Sequence, residues 1–93
     1  MEKKEFISIE EFCTYYRIET AFVRALDEHG LIELTQTNQS YSIEFEQLSM
    51  LEKYMHMHYD LDVNVEGIEV ISHLLQKIDR LQSEMRSLRN AGL

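Results

Sequence analysis

The last quarter of the chain places Ile71, Leu74, Ile78, Leu81, Met85 and Leu88 at intervals of 3, 4, 3, 4 and 3 residues. That spacing is the heptad repeat of a helix whose apolar seam faces a second helix. With no proline anywhere in the sequence, nothing interrupts a helix over residues 65–90. Leaving such a seam in water forfeits about 1.5–3 kcal/mol per large side chain. The stripe therefore packs either on a helix of its own chain or on a second copy. Self-association is the stronger expectation, because the seam reaches Leu88, beyond what so small a body covers; its parallel or antiparallel sense stays open.

The preceding residues must form that body. Ser8 stands three residues before Glu11, the spacing of a capping box, and Phe12, Cys13 and Tyr16 follow. A first helix is expected over Ile9–Tyr16, a short turn at 17–19, and a second helix over Thr20–His29. Val23 and Leu26 would face inward, with Arg24, Asp27 and Glu28 outward. Gly30 ends that helix, since glycine takes the left-handed conformation without a Cβ penalty. Thr35, Thr37, Tyr41 and Ile43 favour strands around Asn38, which predicts a small hairpin of Glu33–Gln36 and Ser40–Ile43. Phe45, Leu48, Leu51, Met55 and His58 recur at helical spacing and predict a third helix over Phe45–Tyr59. Asp62 or Asn64 would cap the last one. The organisation expected is a body of residues 1–62 and a heptad helix of residues 63–93, together one mainly α domain.

Charge narrows the partners. Of the net −8, residues 1–70 contribute −10, from five Lys/Arg against fifteen Asp/Glu, and residues 71–93 contribute +2, from four against two. An acidic body disfavours nucleic acid and favours a basic protein. The single cysteine, Cys13, excludes an internal disulfide and suits a cytoplasmic setting. No apolar run is long enough for a membrane span, and no signal-peptide pattern opens the chain.

Site chemistry is sparse. His56 and His58 are two apart and point in different directions on a helix, whereas helical metal ligands come at three or four. Cys13 has no basic neighbour in sequence and reads as a buried, inert thiol. The three glycines form no phosphate loop. No enzyme, cofactor or metal is expected.

The stretch ISIEEFC at 7–13, followed by RIETAFVRALDEHGLIEL at 17–34, resembles the MerR-type helix-turn-helix. Ile9, Glu11, Ile18, Arg24, Gly30, Leu31 and Ile32 fall on that pattern. Three positions depart from it. Arg17 stands where the turn usually has glycine, Glu19 where a serine caps the helix, and Phe22 where a threonine can touch phosphate. The resemblance implies a MerR-like winged helix-turn-helix with a small β-hairpin wing and a long C-terminal helix.

With HGLIEL at 29–34 and VEGIEVISHLLQKIDRLQSEMRSLR at 65–89, the whole chain is similar to the CbpM chaperone-modulator family. One departure is Val65-Glu66-Gly67, where relatives often place a Trp-Pro-Gly turn. That resemblance implies binding to the J-domain of a DnaJ/CbpA-like co-chaperone and inhibition of its work with Hsp70. The alternative is a MerR-type DNA-binding transcriptional regulator. From charge and expected exposure, the partner-binding candidates are Glu10, Glu19, Arg24, Asp27 and Glu28. Arg24 is expected to pair with Glu28, four residues on, at about 0.2–0.5 kcal/mol. The dimer seam is Ile71, Leu74, Ile78, Leu81, Met85 and Leu88, and direct DNA binding is not expected.

Overall fold

The computed structural model describes residues 3–92. Its elements are β1 (Phe6–Ser8), α1 (Ile9–Tyr16), α2 (Thr20–Glu28), β2 (Leu34–Thr37), β3 (Ser40–Glu44), α3 (Leu48–Met55) and α4 (Val65–Asn90). A 3-10 turn at Phe45–Gln47 leads into α3, and a π turn at His56–Asp60 leaves it. Mainly helical, with a small antiparallel sheet and a long final helix, the chain is a winged helix-turn-helix.

Local chemistry explains the boundaries. The Ser8 hydroxyl accepts the Glu11 N–H at 3.4 Å and opens α1. Arg17 ends it in the left-handed region at φ 57°, and the Ile18 N–H closes back onto the Cys13 carbonyl at 3.0 Å. At the end of α2, Gly30 (φ 74°) lets the Leu31 N–H reach the Leu26 carbonyl at 2.9 Å. Leu26 and Leu31 are both buried there, the apolar contact that accompanies this type of helix stop. The Asn64 side chain caps α4 by accepting the Gly67 N–H at 2.8 Å. A Cβ on Gly67 would lie 2.8 Å from Val63 and 3.0 Å from the Asn64 oxygen, so glycine is needed for this cap to close.

Two expectations require correction. The wing is part of a three-stranded sheet in the order β1-β3-β2, with Ile7 opposite Ile43 on one side and Leu34 opposite it on the other. Strand β1 is three residues long, too short to show a period. Glu33 lies outside β2 because the Gln47 amide takes its backbone: Oε1 accepts the Glu33 N–H at 2.7 Å and Nε2 donates to the Glu33 carbonyl at 2.9 Å. The third helix is likewise not one α-helix over Phe45–Tyr59. Its end widens into the π turn, where the Leu61 N–H reaches five residues back to the His56 carbonyl at 3.2 Å.

The core lies where α1, α2, β3, α3 and the first turn of α4 meet. Phe12, Leu26, Ile43, Leu51, Ile68 and Val23 are its fully buried side chains. Helix α4 adds only Val65 and Ile68 to it and then leaves, with every residue from His73 to Asn90 exposed. The radius of gyration is accordingly 16.5 Å, against about 12 Å for a compact chain of this length.

Arg17 occupies a conformation that costs a residue with a Cβ about 1–2 kcal/mol. Glycine would relieve that cost and return about 0.4–1 kcal/mol through greater freedom of the unfolded chain. Arg17→Gly is therefore expected to raise unfolding stability by about 0.5–1 kcal/mol, read as a higher urea midpoint at unchanged m-value.

Candidate functional site

The second helix of the motif is the natural place to look for a binding surface, and its inward face decides what remains outward. Phe22, Val23 and Leu26 are all buried. Phe22 stacks on the His58 ring at 4.3 Å and 11°, and Tyr59 meets it edge-on at 5.3 Å. His58 is held in turn by its Nδ1, 2.9 Å from the Val63 carbonyl, to which it donates. The Tyr59 hydroxyl accepts the Glu19 N–H at 3.1 Å, satisfying one of the free donors at the start of α2. The residue standing where DNA-binding relatives can touch phosphate is thus the anchor of α2 to the π turn.

Arg24 does not pair with Glu28. Its guanidinium lies over the Tyr41 ring, 4.7 Å from the centroid, and its Nη2 donates to the Tyr41 hydroxyl at 3.2 Å. A planar cation is attracted to an aromatic face, and β3 brings Tyr41 within its reach. Tyr41, together with Thr20, also lines the open groove that Arg24 shares with Glu10 between the motif and the wing.

Asp27 is the second correction among the site candidates. It is half-buried, and its Oδ1 accepts the Leu34 N–H at 3.1 Å where β2 begins. The carboxylate satisfies a backbone donor on the edge strand and positions the wing, so it is not a freely exposed acid. Glu10, Glu19 and Glu28 are exposed. They do not form one cluster, for Glu19 and Glu28 stand at opposite ends of α2, about 13 Å apart along its axis. Around Glu28, the fold gathers acids from α4: Glu66, Glu69 and Glu28 all act electrostatically on His29. Tyr41, Tyr59, Glu66 and Glu69 were not among the candidates, because what places them is tertiary contact across many residues of sequence.

The seam residues divide at the root of α4. Ile71 is half-buried, and Leu74, Ile78, Leu81, Met85 and Leu88 are between 46% and 60% exposed. The stripe does not pack on α3 of its own chain. Val70 and Leu75 flank it and are equally exposed.

Other candidate chemistry is dispersed. His56 Nδ1 sits 2.6 Å from Asp60 within the π turn, while His58 faces Phe22. Among the described residues, no three His, Cys, Asp or Glu side chains gather as a metal site. Cys13 is buried, and burial pushes its thiol up from the ordinary value, away from the reactive thiolate. No helix among the described residues is long and apolar enough to cross a membrane.

Three substitutions test these assignments. Phe22→Thr, which restores the residue type of DNA-binding relatives, is expected to cost about 3 kcal/mol by emptying the aromatic stack, measured by denaturant unfolding. Asp27→Ala is expected to cost about 1–2 kcal/mol through the lost bond to Leu34. Glu28→Ala, with no such bond, should stay within about 0.5 kcal/mol of wild type.

Residues 7–90 match the model of the family described as MerR HTH family regulatory protein. No curated protein matches the chain. With the match spanning all but the ends of the chain, and with the helix-turn-helix, wing and long final helix in place, the chain belongs to the MerR helix-turn-helix family of regulatory proteins.

Proposed function

We propose that this chain is a non-enzymatic chaperone modulator of the CbpM type. It acts in the cytoplasm by binding the J-domain of a DnaJ/CbpA-like co-chaperone and inhibiting its activity with Hsp70. The observation that carries the reading is that the helix-turn-helix is kept while its nucleic-acid-reading positions are spent elsewhere. Phe22 is in the core, Glu19 starts the helix without a side-chain cap bond, and Arg24, the sole cation of α2, is held on Tyr41. The tip of the wing, residues 35–40, reads TQTNQS and offers no charge. Phosphate neutralisation supplies much of the affinity of DNA-binding proteins, and this surface has little with which to supply it. A J-domain presents a basic helix, which an acidic body attracts and competes for.

Glu10, Glu19 and Glu28 are the acids proposed to meet that helix, with Arg24 a bordering contact and Asp27 supporting the wing from beneath. Helix α4 is proposed to join two copies through Leu74, Ile78, Leu81, Met85 and Leu88, with Ile71 at the root of the seam. Exposure of the stripe from Leu74 to Leu88 supports this, because a lone chain leaves it in water at a cost of about 1.5–3 kcal/mol per fully buried side chain.

One observation favours the DNA-binding reading. Arg24 is exposed and fixed between α2 and the wing, a position from which an arginine can reach phosphate. Titration calorimetry against purified J-domain at low and high salt separates the two. Binding that weakens with salt, and weakens a further tenfold or so in the Glu19→Lys/Glu28→Lys double variant at unchanged thermal stability, is the expected result. Absence of J-domain binding, with tight and salt-sensitive binding to duplex DNA that Arg24→Ala removes, would establish the other function. For the seam, light scattering should give twice the chain mass, and Leu81→Asp should halve it by placing an unpaired charge in an apolar contact.

A further inference from the structure

His29, just beyond the end of α2, meets Glu69 in the second turn of α4, with Nδ1 and Oε1 2.7 Å apart and both side chains about one-third exposed (34% and 36%). Among the described residues this is the one ion pair that joins two elements, since the other, His56–Asp60, lies within the π turn. Its position matters mechanically. Helix α4 is seated by the buried Val65 and Ile68 with Ile71 half-buried beside them, and from His73 it runs exposed to Asn90. From Glu69 to the end of the helix is about 30 Å, so a tilt of about 10° at the root displaces the tip by about 5 Å.

We infer that His29 and Glu69 form a proton-dependent strap that sets the angle at which α4 leaves the body. The charged groups acting on His29 are Glu69 and Glu66 on α4 and Glu28 on α2, all carboxylates. While the imidazolium is present, it holds these acids together across the joint. Once it is neutral, three carboxylates from two helices repel one another, and the joint loosens. His73, one turn beyond Glu69 on the same face of α4, is exposed and is not among the groups that act on His29.

The sign follows from the pair itself. The hydrogen bond to Glu69 raises the His29 pKa from its ordinary value; partial desolvation opposes the rise, and the charges of Glu69, Glu66 and Glu28 add to it. A raised folded-state value means that the strap is fully present below the ordinary histidine value and is lost as pH rises through the raised one. That window lies above about pH 6.5, where small changes in proton concentration alter the strap. Its effect on the spacing of two bodies rests on the proposed dimer; the strap itself does not.

Hydrogen exchange followed by mass spectrometry on the full chain tests it at the root of α4, residues 68–72. After correction for intrinsic exchange, protection in the wild type should fall about two- to five-fold between about pH 6 and about pH 8.5, as expected for one partly exposed pair. In His29→Gln and Glu69→Gln the fall should vanish, while His73→Gln should behave as wild type. A wild-type root whose protection ignores pH overturns the strap, as does an equal fall in the His29 and Glu69 variants. So does a His29 imidazole titrating at or below the ordinary histidine value by NMR. A monomer by light scattering that still shows the pH-dependent root would remove the dimer and leave the strap standing.

Discussion

The stacking of Phe22 on His58 is the contact on which the rest of the arrangement depends. It fixes the inward face of α2, seats that helix on the π turn, and brings Tyr59 to the Glu19 N–H. With Phe22 inward, Arg24 and Glu28 are left outward, and Asp27 is brought to the start of β2. Burying an aromatic ring of this size contributes several times what any of the surface pairs can. Apolar packing therefore sets the orientation of the helix, and the polar contacts follow from it.

A helix-turn-helix built in this way separates scaffold from function. The same turn geometry that presents a cationic helix to DNA here presents Glu19 and Glu28 with one arginine, whose guanidinium is already engaged by Tyr41. Helix α4 extends the separation. Its root belongs to the core, and from His73 onward it is an exposed arm with an apolar stripe and the basic residues Lys77, Arg80, Arg86 and Arg89 along it. The acidic body and the basic arm meet at a joint of one histidine and three carboxylates.

Much of this was legible in the residues. Ile9–Tyr16 and Val65–Asn90 begin and end where Ser8, Asn64 and the helical period place them, because caps and periodicity are local signals. The left-handed residue at Arg17 falls at the position where the resemblance has glycine. What escaped the sequence depends on distant partners. β1 needs β3 to exist as a strand, and Gln47 draws Glu33 out of β2. Asp27 looks like a surface acid on a helical wheel until the wing folds back over it. Arg24 had an acid four residues away and took an aromatic ring 17 residues away instead, since an attraction of a few tenths of a kcal/mol between exposed charges is easily outweighed.

The proposed function requires the outward face of this helix-turn-helix to meet a basic protein surface and not a duplex. Amide chemical-shift mapping of the isotopically labelled full chain tests it most directly, with purified J-domain and a DNA duplex added separately under the same conditions. J-domain should perturb residues around Glu10, Glu19 and Glu28, and the duplex should perturb none of the described residues at matched concentration. Perturbations from the duplex centred on Arg24, Tyr41 and the wing turn at 37–40, with none from the J-domain, would contradict it.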